Sequence, residues 1–282
     1  MRFLKEQLER CGVEYFDYYM AHDAEDRYYE GLCKKLDIFN VMKEFKSEGR
    51  IKKLGLSLHD SPDVLDKILT EHHEIEFVLL QINYRDWNSS YVRSRECYEM
   101  ALKHKKPVFV MGPVKGGQLA HVNKDVKRLF NNHNDLPPAL WALSFVLNLD
   151  NVDMVLSGMS TLDEVSENME FIRNFTKLNE DEVRILNIAG DLLENRGEIQ
   201  CTTCDYCKGH CPNDIPISRY FDLYNLNKKS DRLNPMYYDE YNLISQEFGG
   251  ASECIECGEC EETCPQHLKI SKELKKVANI FE

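Results

Sequence analysis

The sequence predicts an α/β fold, with parallel strands alternating with helices, followed by a helical, cysteine-rich tail. Three observations predict it. Short apolar runs alternate with stretches of helical period through the first two-thirds of the 282 residues. Near Gly197 that alternation gives way to cysteines, prolines and tyrosines without a strand pattern. Eight of the 11 cysteines then fall into two runs of identical spacing. Strands that alternate with helices form βαβ units. Right-handed crossovers gather their strand C-termini and loops on one face.

Taken in order, Tyr15 to Ala21 is rich in aromatic strand formers and reads as the first strand. Gly31 to Gly49 carries Leu32, Leu36, Phe39, Met42 and Phe45 at helical spacing and stops at a glycine. Lys53 to Ser57 is the second strand. Ser61 and Pro62 open a helix, since serine suits the N-cap and proline the first turn. Glu76 to Asn83 is a third strand, with the near-continuous apolar run of a strand covered on both faces. A helix over Tyr91 to His104 and a fourth strand over Lys106 to Met111 follow. Pro137 to Leu149 is a proline-initiated apolar helix, and Val152 to Ser157 the fifth strand. Thr161 to Asn174 and Asn179 to Asn195 are further helices. The expected division is residues 1–196 and 197–282. In the tail, Tyr220 to Leu226 and Tyr238 to Phe248 read as helices.

The hydrophobic content of 43% is ample for a core. No run of about eighteen apolar residues suggests a membrane span, and Met1 to Arg10 is a charged amphipathic stretch rather than a signal peptide. A cytoplasmic location is expected. The net charge of -13 argues against a nucleic-acid surface. It serves solubility, or steers basic partners. Cys11, Cys33 and Cys97 are scattered, and such cysteines usually act as small buried hydrophobes.

The first cysteine run is Cys201, Cys204, Cys207 and Cys211 before Pro212; the second is Cys254, Cys257, Cys260 and Cys264 before Pro265. Cysteines three apart on a looping backbone converge on one small inorganic centre. This is the spacing of bacterial ferredoxins, in which the fourth cysteine of each run serves the other cluster. By that rule Cys201, Cys204, Cys207 and Cys264 hold one [4Fe–4S] cluster, and Cys254, Cys257, Cys260 and Cys211 the second. Zinc sites also use Cys-x-x-Cys, but as two pairs a dozen or more residues apart. Two four-cysteine runs ending in Cys-Pro fit zinc poorly. The helices between the runs resemble the α-helical ferredoxin type. Glu253, Glu256, Glu259, Glu261 and Glu262 crowd the second run, as a solvated face or as a docking patch for a basic electron-transfer protein.

Several front segments resemble the aldo/keto reductase family, in its branch with a C-terminal ferredoxin-like domain. They are Glu6 to His22, Gly49 to Asp60, Leu79 to Trp87, Val108 to Ala120 and Val155 to Asn168. The resemblance implies a (β/α)8 TIM-type barrel binding a nicotinamide cofactor at its mouth, and a small carbonyl or alcohol substrate. It places His22 beside the substrate carbonyl, although a lone histidine at a strand end is more often ordinary. Ser57 and Gln81 would hydrogen-bond the carboxamide, and Met111 would stand where many members place an aromatic ring. Leu58 occupies the position of a frequent asparagine.

Gly112, Lys115, Gly116 and Gly117 resemble the loop under the pyrophosphate. Glycines let amides approach a phosphate and a lysine offsets its charge, although such glycines also mark plain turns. Gly158, Ser160, Thr161 and Asn168 match the loop that cradles adenosine. With Asp163, Glu164 and Glu167 and no basic residue between Ser157 and Asn168, NADH is favoured over NADPH.

Five strand–helix units precede the cysteines where a complete barrel has eight and takes about 250 residues. The expectation is a partial barrel, about five of eight units, lacking the N-terminal portion that carries the family's catalytic Asp, Tyr and Lys. Met1 would then be an internal methionine or the gene split, and the chain alone inactive as a carbonyl reductase. Two functions stay open. One is a nicotinamide-linked oxidoreductase wired through two [4Fe–4S] clusters. The other is a non-catalytic electron-transfer or interaction module.

Overall fold

The computed structural model describes residues 2–89, 92–194, 197–229 and 234–282. Its elements run α1 (Arg2–Cys11), β1 (Phe16–Ala21), α2 (Asp26–Tyr28), α3 (Ile38–Ser47), β2 (Ile51–Leu58), α4 (Pro62–Glu71) and β3 (Phe77–Gln81). There follow α5 (Ser94–Lys103), β4 (Val108–Met111), α6 (Lys124–Asn131), α7 (Pro138–Leu147), β5 (Val152–Val155), α8 (Leu162–Arg173) and α9 (Glu180–Glu194). The tail adds α10 (Ile217–Lys229), α11 (Pro235–Ser245), α12 (Glu259–Glu262) and α13 (Ile270–Phe281). Two compact units result, Met1–Pro113 with Ser144–Thr161, and Val114–Leu143 with Leu162–Glu282. The expected boundary at 196/197 falls where Asn195 and Arg196 lie outside the described residues.

In the first unit the strands form one parallel sheet in the order β1-β2-β3-β4-β5. Side chains alternate across it. Leu54, Leu56, Val78, Leu80, Val108 and Val110 join Phe39, Met42, Leu65 and Ile68 of α3 and α4 in the main core. The opposite face carries Phe77, Leu79 and Phe109, flanked by Met20 and Met111. Tyr18 meets both phenylalanine rings edge-on, with centroids 5.4 and 5.0 Å away. Gly55 pairs with Phe77 in register. A Cβ on Gly55 would run into the outer end of the Phe77 ring, which occupies the space over the bare backbone.

The helix expected over Gly31 to Gly49 is divided. A π-helical turn at Tyr29–Cys33 comes first, and Asp37 at φ 53° interrupts before α3. Left-handed torsions cannot continue a right-handed helix. Ser61 caps α4 as expected, its side chain accepting the Val64 amide. The helix expected from Tyr91 starts at Ser94, and Tyr91 lies outside the described residues.

The second unit contains α6, which the sequence reading missed. Its signal was present in Asn123, whose side chain caps the Asp125 and Val126 amides at 3.0 Å. Phe130 of α6 stacks on Trp141, with centroids 4.9 Å apart. In the tail, α10 packs against α13, and Tyr220, Phe221, Leu274, Val277 and Phe281 build a separate core. No helix among the described residues is long and apolar enough to cross a membrane.

Candidate functional site

Each cysteine of the first run recurs 53 positions later, from Cys201 and Cys254 to Cys211 and Cys264 (254 − 201 = 264 − 211). The backbone repeats with them. Thr203 and Asp205 are left-handed at φ 53° and 62°, and their counterparts Glu256 and Gly258 lie at 57° and 82°. Asp214 and His267, three residues past the last cysteine of each run, take φ 50° and 51°. Both close the same turn, with amides reaching the carbonyls of Cys211 and Cys264 at 3.0 and 2.9 Å. Six residues past those cysteines α10 and α13 begin. Residues that alternate between right- and left-handed torsions turn successive N–H groups inward, the concavity used by iron–sulfur sites.

Thiols of the two runs stand near one another. Cys201, Cys204, Cys207 and Cys264 line one pocket with Ile217, Phe221, Leu268 and Ile270. Burial pushes the Cys201 thiol up to about 11 and Cys207 to about 12, with mutual repulsion among Cys201, Cys204, Cys207 and Cys264 adding to it. Cys260 is buried and raised to about 12 by that burial, and its thiol neighbours are Cys207, Cys211, Cys254 and Cys257. Cys264 thus stands with the first run, and both Cys207 and Cys211 of the first run stand near Cys260. Amides of Gln266, His267 and Leu268 reach the Cys264 sulfur, and the Thr203 amide reaches that of Cys201 at 3.3 Å. Cys204 and Cys257 are exposed.

A [4Fe–4S] cluster fits this donor set. Thiols that burial keeps protonated must release their protons to bind, and positive iron supplies the compensation. Single-ion zinc fits less well. Zinc sites use two Cys-x-x-Cys pairs a dozen or more residues apart, a spacing that two four-cysteine runs do not match.

In the first unit, His22, Ser57, Gln81 and Met111 stand at the C-terminal ends of β1 to β4. His22 is exposed and Met111 half-buried. Ser57 is buried, its Oγ accepting the Asp23 amide at 2.8 Å and its carbonyl the Ala24 amide at 2.8 Å. An O–H donor and a primary amide at this edge match a carboxamide in donor and acceptor types. Gln81 Nε2 donates to Asp86 Oδ2 at 2.9 Å, and Asn83 Nδ2 donates to the same oxygen at 2.8 Å. Asn83 also donates to the Gly112 carbonyl at 3.1 Å, and Ser94 Oγ donates to the Gln81 carbonyl. Asn83 and Asp86 were not singled out from the sequence. Their signal was two polar residues within five positions of the end of a fully buried strand. Asp23, left-handed at φ 56°, was missed as well.

Gly112 is left-handed at φ 61°. Gly158, Ser160 and Thr161 are exposed in the first unit. Lys115, Gly116, Gly117 and Asn168 belong to the second unit. There Lys115 is buried, with Nζ 3.4 Å from Gln266 Oε1.

A family model described as the aldo/keto reductase family matches residues 1–191. The chain belongs to the aldo/keto reductase family. A second model, the 4Fe-4S dicluster domain, matches residues 200–270. An aldo-keto reductase of Bacillus halodurans is similar in its apo form, at 24% identity over 67% of this chain and 66% of that one, TM-score 0.54. Its holo form matches at 25% identity over 67% and 65%, TM-score 0.53. An aldo/keto reductase of Klebsiella pneumoniae, solved with NADP and acetate, matches at 18% identity over 66% and 63%, TM-score 0.54. This family member therefore spans slightly less than two-thirds of the length of these structures. No curated protein matches the chain. The partial barrel expected from five strand–helix units agrees with the five-stranded parallel sheet.

Proposed function

We propose that the chain is an iron–sulfur oxidoreductase acting on a carbonyl or alcohol substrate with a nicotinamide, and passing electrons through two [4Fe–4S] clusters. The observation that carries this reading is the repeat of two four-cysteine runs C-terminal in sequence to an aldo/keto reductase sheet. Residues 1–196 would form the reductase portion and 197–282 the cluster domain, in accord with matches over 1–191 and 200–270.

Bound nicotinamide supplies or accepts a hydride, and the clusters exchange single electrons. The chain's own residues bind and orient. His22 would hydrogen-bond the carbonyl oxygen, and Ser57 and Gln81 the carboxamide, with Asp86 fixing the Gln81 amide. Met111 would pack on the nicotinamide ring. Gly112, Gly116 and Gly117 suit a pyrophosphate, while Gly158, Ser160, Thr161 and Asn168 suit the adenosine end. Lys115 of the same loop would offset the pyrophosphate charge. The acidic α8 start favours NADH, since a 2′-phosphate would meet Asp163, Glu164 and Glu167. Exposed Glu253, Glu256, Glu259 and Glu262 suit a basic electron-transfer protein, and the reading is of a cytoplasmic protein.

A hydride moves two electrons together, whereas each cluster takes one. A second reading is therefore a non-catalytic electron-transfer module, favoured by the five-stranded sheet. Anaerobic protein is tested for iron, acid-labile sulfide and NADH binding by fluorescence. About eight irons with saturable NADH binding supports the oxidoreductase. Iron without nucleotide binding supports the module, and zinc without iron sinks both.

A further inference from the structure

Two aspartates bonded to Ser57 and Gln81 have different settings. The Asp86 carboxylate is matched, its Oδ2 accepting the Gln81 side-chain amide at 2.9 Å and that of Asn83 at 2.8 Å. The carboxylate of Asp23, directly after His22, is not. Its Oδ1 is shut off from solvent and accepts no hydrogen bond among the described residues. A buried oxygen in that state has lost its hydration without replacement, and it calls for a donor from outside the chain.

The backbone fixes where Asp23 stands. Its amide donates to Ser57 Oγ at 2.8 Å, and the Ala24 amide donates to the Ser57 carbonyl at 2.8 Å. Its left-handed torsion, φ 56°, is one that aspartate tolerates and most residues do not. The carboxylate is therefore tied by a short covalent path to an atom that touches Ser57 Oγ. Ser57 accepts that amide and keeps its own hydroxyl hydrogen to donate. Leu58, the next residue, is 2% exposed and belongs to the main core, so it brings no polar group to this edge.

We propose that Asp23 binds the nicotinamide carboxamide, its Oδ1 accepting one carboxamide N–H while the Ser57 hydroxyl donates to the carboxamide oxygen. The inference rests on the nicotinamide reading above, which gave the carboxamide to Ser57 and Gln81 alone. A primary carboxamide brings one carbonyl acceptor and two N–H donors. One hydroxyl and one carboxylate oxygen, joined through the Asp23 amide, match that pair in type. An ionised acceptor makes the stronger hydrogen bond. A buried one also discriminates against a ligand that lacks the donor, because the oxygen then stays unpaired.

The test compares two ligands on the full iron-loaded chain by anaerobic calorimetric titration. One is NADH. The other is its methyl ketone analogue, in which CH3 replaces the carboxamide NH2 and the carbonyl remains. Wild type is expected to bind NADH about tenfold more tightly than the ketone. Asp23→Gly removes the carboxylate and suits the left-handed torsion, so the backbone contacts with Ser57 are kept. It should lose about tenfold in affinity for NADH and none for the ketone, and with that the preference. Asp23→Asn keeps an acceptor oxygen and should retain part of the preference. A merely structural role for Asp23 would weaken both ligands alike, and that result overturns the proposal. So does a preference undiminished in Asp23→Gly, or a wild type that binds the two equally. Should Asp23→Gly not fold, Asp23→Asn decides by the same pair of affinities, a reduced preference supporting the proposal and an unchanged one overturning it. A wild type that binds neither ligand defeats the nicotinamide reading itself, and the role of Asp23 falls with it.

Discussion

The ring of Phe77 fills the place that a side chain at position 55 would need. Phe77 is held there by stacking on Phe109, with centroids 4.5 Å apart, and by the edge of Tyr18. Gly55→Ala must push this ring off its neighbours, at a cost of about 1–3 kcal/mol. Urea unfolding should show that loss. Adding Phe77→Leu, which removes the ring, should recover part of it. Equal stability of Gly55→Ala and wild type would show that the sheet face is looser than described.

Asp86 holds the amides of Gln81 and Asn83 in buried surroundings. Asp86→Ala leaves both donors without that acceptor, a loss of about 1–3 kcal/mol. It should also weaken nicotinamide binding more than Asp86→Asn does, because asparagine keeps one carbonyl oxygen. Fluorescence titration with NADH separates the two variants. Identical affinities would remove Asp86 from the site.

Glu76 links β2 to the segment before β3. Its partial burial raises the carboxyl pKa, but the ammonium groups of Lys46 and Lys53 and the Leu54 amide more than offset this. They hold it at about 2, below the ordinary 4.5. The folded value is depressed, so the stabilisation is complete above about 4.5 and is lost as pH falls from there through about 2. Glu76→Gln should therefore be less stable than wild type at pH 7 and approach it at low pH. A constant difference between the two across that range would exclude the ion pairs as the cause.

Crossed ligand sets would show in the iron content of paired cysteine variants. Cys204→Ala with Cys264→Ala removes two ligands of one cluster and should leave about four irons per chain. Cys204→Ala with Cys211→Ala damages both clusters and should leave almost none. The reverse result would mean that each run closes on itself.

Much of this was legible in the residues, and the failures have physical causes. The strands were found because their apolar runs are covered on both faces, as Val78 and Leu80 are on one side and Phe77 and Leu79 on the other. Ser61 and Pro62 announced α4 by the chemistry of an open helix end. The break at Asp37 was invisible, because its left-handed torsion is imposed on a residue that tolerates it without advertising it. Cysteine spacing disclosed the quartets, since ligands must be close in sequence to share a small centre. The partnership of Lys115 with Gln266 spans 151 positions and leaves no local pattern to find.

Cys260 belongs to the tail's hydrophobic core, and Cys201, Cys207, Cys211, Cys254 and Cys264 pack against it. On the two-cluster reading the inorganic centres would thus also fill part of an interior shared with Tyr220, Phe221, Tyr241 and Phe281. Oxygen that dismantles them hollows the region from within, so chemical injury and loss of shape become a single event. In a cell, a chain so injured would present itself for degradation rather than linger as an intact but electrically dead copy.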